Sequence, residues 1–127
     1  MPKNVLVVDD EEDIRAMLKM ALQGPDCVVR TAADGREAID EIDRQRPDLI
    51  LLDLKMPRLN GYQLFAQLKS DETLSRIPVI VMTGLTRESD HDDMDWARRM
   101  HADGFITKPF DVEELSRRVR DLAAKFL

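Results

Sequence analysis

The sequence predicts an α/β domain built on a doubly wound, five-stranded parallel sheet with helices on both faces. Five short apolar runs recur along the 127 residues. They alternate with segments whose apolar residues have helical spacing, and turn residues separate the two kinds of segment. Such alternation favours right-handed crossovers and a parallel sheet. We expect a single domain over residues 1–127, which is long enough to bury one sizeable core.

The first two strand–helix pairs follow from the spacing of apolar residues. Residues 5–8 form a strand, and the stripe that follows has the i, i+3, i+4, i+7 and i+8 pattern of an amphipathic helix. Its members are Ile14, Met17, Leu18, Ala21 and Leu22. Residues 28–32 form the second strand, and the turn residues Asp34 and Gly35 lead into a helix. The inner face of that helix consists of Ala38, Ile39 and Ile42.

The third strand, residues 49–52, is apolar throughout and is therefore expected to be buried on both faces of the sheet. Asp53 ends it, and the turn residues Pro57, Asn60 and Gly61 follow. Asn60 is expected to cap the next helix. The inward side chains of that helix are Leu64, Phe65 and Leu68.

The last two strands, residues 79–82 and 105–107, flank a polar segment whose helix turns Met94, Ala97 and Met100 inward. Asp111 and Glu114 resemble a capping box at the start of the final helix. That helix is expected to bury Leu115, Val119, Leu122, Ala123 and Phe126.

Composition excludes several classes of function. The net charge of −6 and the pI of about 4.9 argue against a general affinity for nucleic acid phosphates. No apolar run approaches the roughly 18 residues that span a bilayer. The single cysteine, Cys27, can form no internal disulfide, which fits a reducing cytoplasm.

Polar residues follow four of the five predicted strands. Asp9 and Asp10 follow the first, Asp53 the third, Thr83 the fourth and Lys108 the fifth. Ligands of open parallel sheets bind beyond the carboxyl ends of the strands, so these side chains are expected to meet at one edge.

Clustered carboxylates need a positive partner. Two carboxylates about 4 Å apart repel by roughly 4 kcal/mol at an effective dielectric constant near 20. Mg²⁺ with oxygen ligands would relieve that repulsion and keep waters for a further ligand. The amine of Lys108 suits a phosphoryl oxygen. Together, the clustered carboxylates, a bound Mg²⁺ and the Lys108 amine suit the transfer of a phosphoryl group to a carboxylate.

Each of these residues also has an ordinary structural explanation. An aspartate after a strand is usually a turn former or a helix cap. Asp9 and Asp10 could simply favour the dipole of the helix that they precede. Thr83 could belong to a plain turn, and Lys108-Pro109 could be a surface pair. Their coincidence at successive strand ends favours the functional interpretation.

Over its whole length the chain resembles the receiver domain of bacterial two-component response regulators. The motifs that carry the resemblance are VLVVDDE at 5–11, ILLDLKMPRLNG at 50–61, VIVMTG at 79–84 and FITKPF at 105–110. The resemblance implies a flavodoxin-like fold with strand order 2-1-3-4-5. It also implies a signalling switch rather than a turnover enzyme, one that catalyses only its own phosphorylation and dephosphorylation.

The resemblance assigns a role to each strand-end residue. It implies that Asp9 and Asp10 hold Mg²⁺ and that the backbone carbonyl of Lys55 completes the metal site. Asp53 would be a metal ligand and would accept phosphate from a phosphohistidine. Thr83 and Lys108 would contact the phosphoryl oxygens.

The switch and the partners are implied in the same way. Phosphorylation would draw Thr83 toward the phosphoryl group, and Phe105 would turn inward to fill the vacated space. Phe105 could instead be an ordinary core residue. The implied partners are a sensor histidine kinase or phosphotransfer protein and a downstream output protein or domain. Output would use the fourth helix, fifth strand and last helix. Neither nucleic acid nor membrane is an expected direct partner, and weak homodimerisation is compatible with the family.

Three features depart from the pattern. Lys55 and Leu85 flank the path of the hydrolytic water in the family, and neither side chain orients water well, so we expect slow loss of phosphate. Lys55 could equally be a solvated surface residue. His101 stands where the family often has glycine, so it must accept a positive φ or change the helix end. His91 and His101 lack metal-ligand spacing and are expected on the surface.

Three other classes of protein are alternatives to the receiver domain, and each predicts a sequence feature or a property that can be checked. A phosphatase of the haloacid dehalogenase type would carry Asp-x-Asp on its first strand, whereas Asp9 and Asp10 are adjacent here. A flavodoxin would need a phosphate loop rich in Ser, Thr and Gly, whereas residues 9–13 are acidic. A degenerate receiver would bind partners without phosphorylation, although here all five site residues are present.

Overall fold

The computed structural model describes residues 3–54, 61–83, 98–99, 101–107 and 111–126. Its strands are β1 (Lys3–Val8), β2 (Cys27–Ala32), β3 (Leu49–Asp53), β4 (Val79–Thr83) and β5 (Gly104–Thr107). Its α-helices are α1 (Glu12–Leu22), α2 (Gly35–Arg44), α3 (Gly61–Ser70) and the C-terminal α4 (Val112–Phe126), and a short 3-10 helix covers Leu74–Arg76. None of the helices in these parts of the chain combines the length and the apolar composition that crossing a membrane requires.

All five strands are parallel, and their order is β2-β1-β3-β4-β5. The prediction of a doubly wound sheet with order 2-1-3-4-5 is therefore confirmed. The strand order reverses at β1: the chain passes from β1 to β2 on one side and then crosses back to β3 on the other side of β1. Ligand sites of such sheets lie at this reversal, beyond the carboxyl ends of the central strands.

The central strands are buried on both faces, because successive side chains of each strand point into different cores. One core lies beneath α2 and α3 and includes Leu6, Val8, Ile50, Leu52, Val79 and Val81. The other includes Val5, Val7, Leu49, Leu51, Ile80 and Met82 together with Leu18 of α1 and Leu115 of α4. The continuous apolar runs of the sequence follow from this two-sided burial.

The helices show where side-chain spacing predicted burial well and where it did not. Ala38 and Ile42 of α2 are buried as predicted, and the Asp34 carboxylate accepts a hydrogen bond from the Glu37 backbone N–H at 2.9 Å. In α1 only Leu18 is fully buried, and the prediction that Ala21 faces inward was wrong because Ala21 is exposed. Ala21 lines a surface cavity together with Ser116 and Arg120 of α4, so the short alanine side chain is not covered there.

Two of the predicted helix boundaries can be checked. His101 has a φ of 60°, and its N–H donates to the Arg98 carbonyl at 3.2 Å, so it accepts the left-handed conformation. Asp111 accepts the Glu113 N–H at 2.9 Å at the start of α4. The predicted Asn60 cap and the inward residues predicted between 94 and 100 lie outside the described residues.

Candidate functional site

The register of the sheet brings the strand ends together. Val8 of β1 is the partner of Leu52 of β3, so the residues that follow them, Asp9 and Asp53, are adjacent. Asp53 is in turn the partner of Met82, and the next residue of β4 is Thr83. Neighbouring parallel strands lie about 4.8 Å apart, so the sheet alone puts two carboxylates within reach of each other.

The three acidic residues form a compact group, which we call the acidic triad: Asp9, Asp10 and Asp53. Each offers one carboxylate oxygen, and the three oxygens lie within 4.8 Å of one another. Asp9 is fully buried and Asp53 is only 4% exposed, whereas Asp10 is exposed. Three like charges at this spacing, two of them shielded from water, repel one another strongly.

The geometry of the acidic triad fits a hard divalent cation. Mg²⁺ binds oxygen at about 2.1 Å, so ligands on opposite sides of the ion lie about 4 Å apart. Neighbouring ligands of the ion lie about 3 Å apart, so the three oxygens, which are within 4.8 Å of one another, would draw closer on binding it. The exposed side of Asp10 leaves room for the waters that Mg²⁺ retains in most protein sites.

Asp9 is fixed at three of its atoms. Its N–H donates to the Ala32 carbonyl at 3.1 Å, which continues the ladder between β1 and β2 one residue past the end of β1. Its carboxylate Oδ1 accepts the Glu11 N–H at 2.9 Å, and its backbone carbonyl accepts Nη1 of Arg15 at 2.7 Å. Asp9 therefore defines the turn from β1 into α1, on which Asp10 is carried.

Gly61 packs the first turn of α3 against the strand that carries Asp53. Its N–H donates to the Leu54 carbonyl at 3.1 Å. A Cβ at this position would overlap the backbone of Asp53 and of Leu54, so any larger residue would displace one of the two. In the sequence Gly61 was identified only as a turn residue, and Arg15 carried no assignment at all.

The other predicted site residues are only partly described. Thr83 closes β4, where it pairs with Thr107 of β5, and the residue after Thr107 is Lys108. Lys108 and Lys55 lie outside the described residues. Phe105 of β5 is half-buried against the α2–α3 core, and the guanidinium of Arg98 lies 5.4 Å from the centre of its ring.

A parallel sheet of this order with an acidic triad at its carboxyl edge is typical of phospho-accepting signalling domains. The family comparison agrees, because the model of the response regulator receiver domain matches residues 5–120. The chain belongs to the response regulator receiver domain family. Its role is that of a signalling switch.

Individual relatives agree with the family. The chain is 40% identical over 123 residues to the response regulator MprA of Mycolicibacterium vanbaalenii, covering 96% of this chain and 51% of that protein. It is 36% identical over 120 residues to the alkaline phosphatase synthesis transcriptional regulatory protein PhoP of Bacillus subtilis. That match covers 94% of this chain and 48% of PhoP. The chain thus spans about half the length of these curated relatives.

A solved structure matches nearly end to end. The receiver domain of the Francisella response regulator 1452 superposes with a TM-score of 0.85 at 30% identity, covering 98% of this chain and 99% of that one. The observed fold is therefore the receiver fold that the resemblance implied.

Proposed function

We propose that this domain, extending over residues 1–127, accepts a phosphoryl group on Asp53 in a Mg²⁺-dependent reaction and thereby switches a downstream output protein or domain. The donor is the phosphohistidine of a sensor histidine kinase or phosphotransfer protein. The observation that carries the proposal is the acidic triad, in which a nearly buried Asp53 meets Asp9 and Asp10.

The transfer is a substitution at phosphorus. A carboxylate oxygen of Asp53 attacks the phosphorus, the P–N bond to the donor imidazole breaks, and the freed imidazole nitrogen keeps the electron pair until it is protonated. The chain chiefly aligns the reacting groups. Phosphoryl transfer passes through a loose transition state, so catalysis depends on positioning and on stabilisation of charge. Mg²⁺, when bound, supplies positive charge to the triad and to the phosphoryl oxygens.

Rigid neighbours support the alignment of Asp53. Its strand lies in the middle of the sheet, between β1 and β4, so its backbone is paired on both sides. Gly61 brings α3 against the Asp53 carbonyl. In this proposal, the side chains of Thr83 and Lys108 and the Lys55 carbonyl complete the site, as they do in the family.

The switch proposed for Phe105 is a shift between two populations of its ring. A half-buried ring has both core and solvent within reach, and Phe has no hydroxyl that would need a partner when it turns inward. Thr83 would move toward the phosphoryl group and leave the space that the ring fills. The Arg98 guanidinium, 5.4 Å from the ring centre, would have to follow or release the ring as it moves.

Phosphorylation by a small donor tests the proposal without knowledge of the kinase. Phosphoramidate with Mg²⁺ should add about 80 Da to the intact protein, the mass of one phosphoryl group, and EDTA should prevent it. Asp53→Asn should abolish the addition, because the amide is a poor nucleophile. Asp40→Asn, on the exposed face of α2, is the control and should be labelled like the parent. Undiminished labelling of Asp53→Asn would overturn the assignment.

A further inference from the structure

Arg15 lies near the amino end of α1, where the helix dipole disfavours a cation. The first turn of the helix carries Glu12 and Asp13, as expected where the helix dipole favours negative charge. Arg15 is the fourth residue of α1, and its half-buried side chain runs back toward this positive end. Helical side chains do point toward the N-terminus, but the dipole gives a cation no reason to stay there.

The contact that Arg15 makes explains its position. Nη1 donates to the carbonyl oxygen of Asp9 at 2.7 Å, the shortest of the three bonds that fix Asp9. Glu11, the residue before the helix, has no side-chain capping bond of its own. The turn from β1 into α1 is therefore held by Asp9 from one side and by Arg15 from the other.

We propose that Arg15 is a positioning residue for the metal site of the acidic triad. By holding the Asp9 carbonyl it sets the path of the backbone through Asp10, and so keeps both carboxylates facing Asp53. The inference rests on the proposed function, since it requires that the triad binds Mg²⁺. Arg15 itself touches neither the metal nor the phosphoryl group.

Two explanations of the Arg15 contact predict opposite changes in Mg²⁺ affinity when Arg15 is replaced, which makes the proposal testable. If the guanidinium acted only through its charge, removing it would leave the triad more negative, and Mg²⁺ would bind more tightly. If Arg15 positions the turn, removing it releases Asp10 from the triad, and Mg²⁺ binds more weakly. Lys19, one helical turn further along α1 and exposed, offers the matched removal of a positive charge.

The experiment is a MgCl₂ titration of each folded variant, followed by the backbone amide NMR shifts of Asp10 and Leu54. We expect Arg15→Met to weaken Mg²⁺ binding about threefold to tenfold, a range within the strength of a hydrogen bond from a charged donor. Lys19→Met should leave binding unchanged or slightly tighter. Arg15→Gln serves in the same way if the Met variant does not fold. Faster hydrogen exchange at the Glu11 amide should accompany the weaker binding.

The possible outcomes distinguish failure of the positioning role of Arg15 from failure of the proposed phospho-acceptor function. Equal or tighter Mg²⁺ binding by the Arg15 variants, with the parent binding normally, would overturn the positioning role and leave the proposed function intact. Failure of the parent to bind Mg²⁺ or to accept phosphate would instead overturn the proposed function.

Discussion

Charged side chains gather at both ends of the parallel sheet, and the two groups differ in composition. At the amino end of the strands Arg30 of β2 donates to Asn4 Oδ1 at 3.0 Å, to Glu41 Oε2 at 2.9 Å and to the Gln45 carbonyl at 2.6 Å. Asp48 accepts the Asn4 N–H at 2.8 Å. We call this group the Arg30 cluster.

The Arg30 cluster balances its own charge. Arg30 and Arg44 face Glu41, with Nη2 of Arg44 2.6 Å from Glu41 Oε2, and Asp48 adds the second negative charge. Arg30 also donates to the Glu41 carbonyl at 2.8 Å, so it satisfies two carbonyls at the end of α2 as well as a carboxylate. Buried polar groups satisfied in this way contribute to stability and need no ligand.

The acidic triad at the carboxyl end of the strands consists of carboxylates alone. It brings three carboxylates within 4.8 Å, and two of them are shielded from water. Two hydrogen bonds hold the Asp9 backbone carbonyl and one Asp9 carboxylate oxygen, which fixes the turn that carries Asp10. Three carboxylate oxygens gathered at a fixed geometry suit a divalent cation. The Arg30 cluster instead links β2, β1 and the end of α2 by its own hydrogen bonds.

The largest expected effect comes from breaking the balanced cluster. Arg30→Met should lower the free energy of unfolding by about 2–3 kcal/mol, less than for a fully buried ion pair because Glu41 is partly exposed. Urea unfolding followed by circular dichroism measures the loss. Arg36→Met, exposed on the same α2 helix, is the control and should change stability by less than about 0.5 kcal/mol. A similarly small change for Arg30→Met would show that the cluster is dispensable.

A smaller effect is expected on the lifetime of the phosphorylated triad. Hydrolysis needs a water in line with the scissile P–O bond, and Lys55 and Leu85 are poor groups for orienting it. We predict slow decay in the parent and decay about tenfold faster in the double variant Lys55→Asn, Leu85→Glu. Tenfold corresponds to about 1.4 kcal/mol, within the reach of one oriented water.

The measurement is loss of label from purified phosphoprotein in Mg²⁺ without kinase. The double variant Lys19→Asn, Met20→Glu makes comparable changes on the exposed side of α1 and should decay like the parent. Unchanged or slower decay of the Lys55, Leu85 variant would make Lys55 a solvated surface residue.

The sequence was informative about the sheet and its acidic edge for a definite physical reason. Strand periodicity and strand-end position are local, and in a parallel sheet they determine which residues meet at the edge. Asp9, Asp10 and Asp53 could therefore be predicted together. The roles of Thr83, Lys55 and Lys108 at that edge stay predictions.

Features that depend on tertiary contact could not be predicted. The bond from Arg15 to the Asp9 carbonyl depends on how α1 leaves the sheet, and nothing in the order of residues specifies it. The overlap that excludes a Cβ at Gly61 depends on how closely α3 approaches β3. Ala21 fits the helical stripe, yet it is exposed because a surface cavity separates it from Ser116 and Arg120 of α4.

The most direct test of repulsion among the three carboxylates of the acidic triad compares thermal unfolding of Asp10→Asn and Asp48→Asn in EDTA. Removing one charge from the acidic triad should raise the melting temperature of metal-free protein by roughly 2–4 °C. Removing the charge of Asp48 from the Arg30 cluster should lower the melting temperature, because the charge-assisted hydrogen bond that Asp48 accepts from the Asn4 N–H becomes a weaker neutral one. Mg²⁺ should then stabilise Asp48→Asn as it does the parent, and Asp10→Asn much less. A fall in melting temperature for metal-free Asp10→Asn would contradict the idea that the three carboxylates of the triad repel one another in the absence of a cation.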